Sequence, residues 1–237
     1  MKTKTLSCKP LGLNALKGNT ICLKRSSPKY IDFIQACHKN TVFMDLYRIN
    51  QPRDLSKEAL EESLEALASQ MPHEMRFIEW IIFKIKDNEE IPIGLISLAD
   101  YQPKHRRAEL LLGIINQEDR KGFSSLEAAL LLFDFAFNQL NLHKLLSYVY
   151  GYNTYAQKNT LQLGFKQEGL FLDHIHTDDG FIDLYQNGLL RTDFLKNKRL
   201  SRFSSRLLKR DITQARQTNI TPLSDELMKK FLEQVRK

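Results

Sequence analysis

The chain has 237 residues, of which 42% are hydrophobic and 27% charged, so it can bury a substantial core and is not disordered as a whole. No apolar run approaches the roughly 18–20 residues that a helix needs to cross a bilayer, and the N-terminus lacks the apolar segment of a signal peptide. The net charge of +7 is uneven, because residues 195–237 hold 12 Lys and Arg against 4 acidic residues while the remainder carries a net charge of −1.

The cysteines indicate a reducing compartment. Cys8, Cys22 and Cys37 are odd in number, and their spacing fits neither a zinc site nor a disulfide framework. We therefore predict a cytoplasmic protein that does not associate with a membrane.

The first third of the chain predicts a strand and two helices after a loose leader at residues 1–18. TICLKR (20–25) is short and typical of a strand, and YIDFIQACHKN (30–40) has the apolar spacing of a helix. DLSKEALEESLEALASQ (54–70) predicts a second helix, with Ser56 as its N-cap.

The middle of the chain predicts three successive strands. RFIEWIIFKI, IPIGLISLADY and AELLLGII are β-prone and joined by short polar links. Such a series predicts an antiparallel meander, not the start of a βαβ unit.

The stretch FSSLEAALLLFDFAFNQLNLH (123–143) predicts a long buried helix. Ser124 and Glu127 have the spacing of a capping box at its start. Apolar residues cover nearly all of its faces, which favours burial against a sheet.

The next elements are a strand, a helix and a hairpin. KLLSYVY (144–150) predicts a core strand, and TYAQKNTLQL (154–163) a helix closed by Gly164. FKQEGLFLDH and FIDLYQNGLL predict the two strands of the hairpin.

An ordered set of short phrases resembles the GNAT superfamily of acyl-CoA N-acyltransferases, and within it the ribosomal-protein N-terminal and spermidine acetyltransferases. The phrases are Ile93-Gly94, Ala108-Glu109, Asn141-Leu142-His143-Lys144, Asn153, and Leu163-Gly164-Phe165 followed by Glu168-Gly169. The resemblance covers about residues 20–194. It implies an α/β (α+β) fold with a mixed, mostly antiparallel central sheet of about seven strands, flanking helices and a splayed-strand CoA cleft. We predict a leader at 1–18, the acetyltransferase domain at 19–194 and a basic tail at 195–237.

The resemblance places the pyrophosphate of acetyl-CoA at the start of the long helix, where unpaired N–H groups and the helix dipole attract anions. The family pattern Arg/Gln-x-x-Gly-x-Gly/Ala corresponds to Arg120, Lys121, Gly122, Phe123, Ser124 and Ser125. Phe123 occupies the position of the expected central glycine, and Gly122 lies one residue early. This departure leaves three alternatives: an insertion that keeps the anion site, a weakened CoA site, or an ordinary helix start with a capping box.

Two further residues match positions of the family's CoA site. Asn153 corresponds to an asparagine at the mouth of the cleft, where its amide can bind the cofactor; the alternative is a turn residue after a strand. Thr160 stands seven residues later, where many relatives have a tyrosine that protonates the departing thiolate. A threonine hydroxyl can donate a hydrogen bond to sulfur, but it is not an acid near neutral pH.

Glu109 is the first candidate for the general base that removes a proton from the attacking amine. The alternative is a structural ion pair with Arg106 or Arg107. Glu168 and Asp183 are weaker candidates for the same role.

The last hairpin holds a cluster of His and Asp residues, for which metal binding, contact with the acceptor and simple solvation all stay open: Asp173, His174, His176, Asp178 and Asp179. Alternating histidines on a strand with carboxylates nearby could ligate zinc. Of these alternatives metal binding has the least support, and we predict no metal site.

The basic tail contains KNKRLSRFSSRLLKRD (196–211), in which cations alternate with Leu and Phe, and a predicted amphipathic helix at 223–237 capped by Ser224. Such a tail can bind a nucleic acid, an acidic protein or a membrane surface, or it can be solvated.

The sequence therefore predicts an N-acetyltransferase that transfers an acetyl group from acetyl-CoA to a primary amine by direct attack in a ternary complex. The acceptor could be a small molecule or a protein N-terminus. One alternative is recruitment by the tail to an acidic carrier protein or the ribosome, and another is a non-catalytic CoA-binding scaffold. The oligomeric state stays open.

Overall fold

A computed structural model describes residues 15–53, 55–70 and 74–214. The chain divides into two compact units, Met1–Tyr101 with Glu109–Leu131, and Gln102–Ala108 with Leu132–Lys237.

Eight strands occur in the described residues, five belonging mainly to the first unit and three to the second. They are β1 Ala15–Lys17, β2 Ile21–Arg25, β3 Ile78–Lys86, β4 Glu89–Gln102, β5 Arg107–Ile114, β6 Lys144–Tyr150, β7 Lys166–Thr177 and β8 Gly180–Leu190. The strand order is β1-β2-β3-β4-β5 in the first unit and β6-β8-β7 in the second. The pairs β1–β2, β2–β3, β3–β4, β6–β8 and β7–β8 are antiparallel. The predicted mostly antiparallel sheet is thus confirmed, with one strand more than the seven or so expected. The additional strand, β1, lies in the segment predicted to be a leader.

Eight α-helices occur in the same described part of the chain. They are α1 Ile31–Lys39, α2 Thr41–Tyr47, α3 Lys57–Ser69, α4 Gln117–Arg120, α5 Ser124–Phe133, α6 Thr154–Gln162, α7 Arg191–Leu195 and α8 Lys198–Leu207. A π-helical turn, Asp134–Gln139, continues α5. The predicted helices α1, α3, α5 and α6 are confirmed, and so is the cap of α3, because the Ser56 hydroxyl accepts from the backbone N–H of Ala59 at 3.2 Å. The sequence did not predict α2, which Asn40 caps by accepting from the N–H of Phe43 at 2.9 Å.

The core of the first unit forms where α1, α2 and α3 cover one face of the sheet. Phe43 and Tyr47 of α2 stack with their ring centroids 5.1 Å apart. They belong to a buried cluster that includes Leu60 of α3, Ile81 of β3 and Leu111 of β5. Burial of this apolar surface supplies most of the free energy that holds the helices on the sheet.

The core of the second unit is built from phenylalanines. Phe137 stacks on Phe194 of α7 with ring centroids 4.5 Å apart, and Phe133 lies 6.0 Å from Phe165. Phe133 and Phe137 have no exposed surface, which confirms the predicted burial of the long helix.

The first part of the predicted tail belongs to the second unit. Leu200 and Ile212 are fully buried. The side-chain amide of Asn138 donates to the carbonyl oxygen of Ile212 at 2.8 Å, and Arg210 pairs with the buried carboxylate of Asp134 at 3.0 Å. Residues 1–14 and 215–237, including the predicted terminal helix, lie outside the described residues, and the wider division into leader, domain and tail stays a prediction.

None of the helices in residues 15–53, 55–70 and 74–214 combines the length and the apolar character required to cross a lipid bilayer.

Replacement of Gly94 by alanine is expected to destabilise the first unit. A Cβ atom at this position of β4 would lie 2.1 Å from the carbonyl oxygen of Gly113 in β5, and a backbone oxygen within a sheet cannot move aside cheaply. We expect Gly94→Ala to lower the free energy of unfolding by about 2–3 kcal/mol, measured by urea denaturation. The control is Gly169→Ala, whose Cβ would meet its nearest neighbour at 4.0 Å; equal losses in the two variants would contradict the steric explanation.

Candidate active site

The loop between β5 and α5 is held by Arg120. This residue ends α4, and its guanidinium donates from Nε to the carbonyl oxygen of Ile114 at 2.9 Å and from Nη2 to that of Ile115 at 3.2 Å. Arg120 therefore fixes the path of the loop onto the end of β5. Its predicted contact with a phosphate stays a prediction.

The backbone just before α5 adopts a conformation that favours glycine. Gly122 has φ +91°, and a Cβ built on it would meet nothing within 4 Å. Glycine is thus required here by the backbone angle and not by lack of space. Lys121 and Phe123 on either side are exposed, Phe123 by 44%.

The first turn of α5 follows directly. The carbonyl oxygen of Phe123 accepts the N–H of Glu127 at 2.8 Å, which is the first helical hydrogen bond. Ser124 and Ser125 are half-buried within this turn. The first N–H groups of a helix have no partner inside the helix, so those of α5 can donate to an anion that reaches them past the exposed loop and its left-handed glycine.

The carboxylate of Glu127 does not take part in the predicted capping box. It is only 1% exposed, and its Oε1 accepts from the backbone N–H groups of Asn19, Thr20 and Ile21 at 2.5, 2.9 and 3.3 Å. Its Oε2 accepts from the Thr20 hydroxyl at 2.5 Å. The prediction was wrong because it considered only partners close in sequence, whereas these donors lie more than 100 residues away.

Glu127 fixes the start of α5 to the turn between β1 and β2. The chain approaches so closely that a Cβ on Gly18 would lie 2.3 Å from Oε1. The sequence signal for this role was the presence of one acid in the otherwise apolar run of α5 after its two serines. A carboxylate at such a position must find several donors when it is buried.

Glu109 lies half-buried on β5 in the same unit as the loop. Burial raises the pKa of its carboxyl group to about 7, with the charge of Arg48 opposing this rise and that of Asp100 adding to it. The guanidinium of Arg106 donates to the backbone oxygen and to Oδ1 of Asn141, both at 2.8 Å, and Arg107 donates to Gln102 at 3.1 Å.

A second buried acid in the first unit, Glu79 of β3, serves the core. Its carboxylate accepts from the hydroxyls of Ser26 at 2.9 Å and Tyr47 at 3.2 Å. Burial raises its pKa above the ordinary value while these hydrogen bonds oppose the rise. Its position beneath α2 makes Glu79 a structural acid, in contrast to the half-buried Glu109.

In the second unit, Asn153 caps α6. Its Oδ1 accepts from the N–H of Ala156 at 3.1 Å, which leaves its side-chain N–H₂ group as the donor for any ligand. Thr160 lies half-buried on the same helix, and Tyr155 is 75% exposed. Gly164, with φ +97°, ends this segment as predicted.

A buried amide pair fixes α6 to its sheet. The side chains of Gln157 and Asn187 exchange two hydrogen bonds of 2.9 Å, and Asn187 also donates to the carbonyl oxygen of Ser147 at 3.2 Å. This pair is not evident in the sequence, because its members are 30 residues apart.

Both weaker candidates for the base, which lie on the strands of the hairpin, have partners. Glu168 pairs with Lys144 at 2.6 Å, and Asp183 accepts from the N–H of Asp173 at 3.0 Å. His174 stacks on Phe171 with ring centroids 4.9 Å apart. In the part of the chain that the structure describes, no group of three or more His, Cys, Asp or Glu side chains could hold a metal ion.

The predicted site residues are thus distributed over both units. Glu109 and the loop from Arg120 to Ser125 lie in the first, and Asn153 and Thr160 lie in the second. Residues 22–166 match the family described as the acetyltransferase (GNAT) domain.

The chain belongs to the GNAT acetyltransferase family.

Individual GNAT relatives agree with this assignment. The chain is 26% identical to the N-acetyltransferase YoaA of Bacillus subtilis over 73% of its own length and 89% of the relative. It is 27% identical to the spermidine N(1)-acetyltransferase of Vibrio cholerae, over 63% of this chain and 88% of the relative. The structure of a Vibrio cholerae spermidine N-acetyltransferase in complex with CoA and spermine is similar in fold, with a TM-score of 0.63, 24% identity, and coverage of 74% of this chain and 98% of that one.

Membership of the GNAT family makes this protein an acetyltransferase that uses acetyl-CoA as its donor. The residues before and within the first turn of α5 fit an anionic donor, since an exposed lysine and a left-handed glycine precede helical N–H groups that have no partner within the helix.

Replacement of Glu127 by glutamine is expected to displace the start of α5. Glutamine keeps the size of the side chain but removes the charge that strengthens its four hydrogen bonds. We expect Glu127→Gln to lower the free energy of unfolding by about 1–3 kcal/mol and to raise the KM for acetyl-CoA more than the KM for the amine, as measured by steady-state kinetics.

The matched control is Glu65→Gln, which removes the same charge from the exposed face of α3. Thr20→Val is expected to reproduce part of the effect, because it removes one of the four donors. If Glu127→Gln leaves the KM for acetyl-CoA unchanged while lowering stability, Glu127 does not position the donor site.

Proposed function

We propose that this GNAT enzyme transfers the acetyl group of acetyl-CoA to a small primary amine, and that Glu109 receives the proton of the amine. The observation that carries this proposal is the half-buried carboxyl group of Glu109, whose pKa burial raises to about 7. A base with a pKa near the working pH is partly deprotonated and still accepts a proton readily.

The reaction requires the amine to lose a proton before or during attack. The nitrogen lone pair forms a bond to the thioester carbonyl carbon, the carbon–sulfur bond breaks, and CoA leaves as a thiolate. The proton released from nitrogen passes to Glu109, directly or through water. The thiolate is stable enough to leave without a strong acid, so a threonine at position 160 is compatible with turnover.

The donor-binding residues have distinct roles in this proposal. The N–H groups at the start of α5 bind the pyrophosphate, with Lys121 supplying a positive charge nearby. Asn153 donates from its side-chain N–H₂ group to the pantetheine arm, because its Oδ1 is used in capping α6. The Thr160 hydroxyl donates to the leaving sulfur.

The choice of a small amine rests on the relatives. The spermidine N(1)-acetyltransferase matches 63% of this chain at 27% identity, and its name gives a small polyamine as its acceptor. The alternative acceptor is a protein N-terminus, and a panel of acceptors distinguishes it from a small amine.

Substitution of Glu109 by glutamine is expected to remove the limb near pH 7 from the pH–rate profile. Below this pH the wild-type carboxyl group is protonated and cannot accept a proton, so kcat/KM should rise with pH and then level off above about pH 7. We expect Glu109→Gln to lower kcat about 10²- to 10³-fold. The pH dependence that remains should be the one that arises from protonation of the amine substrate.

The control for charge removal is again Glu65→Gln. Release of the CoA thiol, followed with a chromogenic disulfide, gives the rates. A Glu109→Gln enzyme with the wild-type profile would exclude Glu109 as the base.

A panel of acceptors tests the substrate class. The same thiol assay is run with spermidine, simple diamines, an amino sugar and a short peptide with a free N-terminus, after calorimetry has established binding of acetyl-CoA at two salt concentrations. We expect turnover with small amines. Turnover with the peptide alone would assign a protein acceptor, and binding of acetyl-CoA without any turnover would indicate a scaffold.

A further inference from the structure

We propose that the outer surface of α8 binds the phosphate backbone of a nucleic acid. This α8 cationic face consists of four exposed residues of the helix and one exposed residue just after its end: Lys198, Arg199, Arg202, Arg206 and Lys209. The inference is independent of the acetyl-transfer reaction.

Four of the cations share one side of the helix. At 3.6 residues per turn, positions 198, 199, 202 and 206 of α8 fall within a single arc of about 100°, and Lys209 follows just after the helix ends, at a residue with φ +55°. With a rise of about 1.5 Å per residue, the helical part of the face extends for roughly 12 Å. One strand of a duplex presents a phosphate about every 3.4 Å along the helix axis, so several phosphates fall within this length.

The opposite side of α8 is fixed to the second unit. Leu200 and Ser204 have no exposed surface, and the Ser204 hydroxyl accepts from the N–H of Ile212 at 3.2 Å. The side chain of Asn197 caps the helix by accepting from the N–H groups of Arg199 and Leu200, both at 3.0 Å. The four helical cations are therefore presented by a packed helix, and little backbone entropy is lost when they bind a partner.

The charge on this face is of one sign. The segment 196–210 contains no acidic residue. The nearest acid in sequence is Asp211. Its carboxylate accepts hydrogen bonds from the Ser201 hydroxyl at 2.7 Å and from the N–H of Thr213 at 2.9 Å. Arg199 is steadied by its position over Phe203, 5.4 Å from the ring centroid, and by a bond to Gln162 at 3.2 Å.

These features favour a nucleic acid over an acidic protein. Protein surfaces intersperse both signs of charge, whereas a uniform row of cations is complementary to a regular polyanion. Three of the five cations are arginines, whose planar forks bind phosphate oxygens in pairs. The face presents no exposed aromatic ring on which a base could stack, so it suits contacts to phosphates without sequence preference.

The test measures binding of the full-length protein to a 20-base-pair RNA duplex, a DNA duplex of the same sequence and the single strand of each, by fluorescence anisotropy from 50 to 200 mM KCl. With four or five phosphate contacts, we expect the logarithm of the association constant to fall with the logarithm of salt concentration with a slope of about −4. The four probes identify which nucleic acid supplies the phosphates.

The decisive variant is the triple substitution Arg202→Gln, Arg206→Gln, Lys209→Gln. We expect it to weaken binding at least about tenfold and to reduce the salt slope by about 3. The matched control is Lys39→Gln, Lys86→Gln, Lys104→Gln, which removes three exposed cations elsewhere and leaves the same net charge. Circular dichroism and the rate of acetyl transfer establish that both variants are folded.

Loss of binding in the α8 variant alone supports the proposal. Equal loss in the two variants would overturn it, because net charge and not this face would then attract the probe. Absence of binding to all four probes at 100 mM KCl would also overturn it. Tighter binding of polyglutamate than of any nucleic acid would replace it with an acidic protein partner.

Discussion

The first unit depends on how the buried carboxylate of Glu127 is satisfied. Removal of a charged group from water is costly unless donors replace the lost solvent. Here three consecutive backbone N–H groups and the Thr20 hydroxyl supply those donors. The turn between β1 and β2 can supply them only by closing onto the start of α5, so one requirement fixes the hairpin, the helix and the loop before it. The site that is proposed to bind the donor thus inherits its position from a residue that need not touch the donor.

Three glutamates of this unit show how environment assigns different tasks to one side chain. Glu127 is surrounded by backbone donors and acts as a structural anchor. Glu79 is buried beneath α2 and accepts from Ser26 and Tyr47, which ties the sheet to its helices. Glu109 is only half-buried, and burial raises its pKa to about 7. The degree of burial and the number of donors together separate the candidate base from the two structural acids.

The second unit combines an aromatic core with polar anchors at its edge. Phe137 and Phe194 bring α7 onto the π-helical turn that follows α5. Next to them, Asp134 and Asn138 use their buried polar groups to hold Arg210 and the carbonyl oxygen of Ile212. The segment that follows the β7–β8 hairpin is in this way packed against the second unit. Its charged side faces solvent. A packed helix with one cationic face is physically different from a solvated basic tail, because its charges have fixed relative positions.

The sequence by itself determined the order of most elements, the family and the acetyl-CoA donor. Apolar periodicity, caps and short ordered phrases are local signals, so they can be recognised in the sequence alone. It also placed Ser56 and Gly164 correctly, since a cap depends on residues within one turn. The sequence did not reveal α2, which has few local signals beyond Asn40 and is held by the packing of Phe43 and Tyr47 on the sheet. Only the tertiary structure decided the partners of Glu127, the raised pKa of Glu109 and the packing of α8. Each of these depends on burial and on donors remote in sequence, and long-range contacts of that kind leave no periodic pattern in the chain.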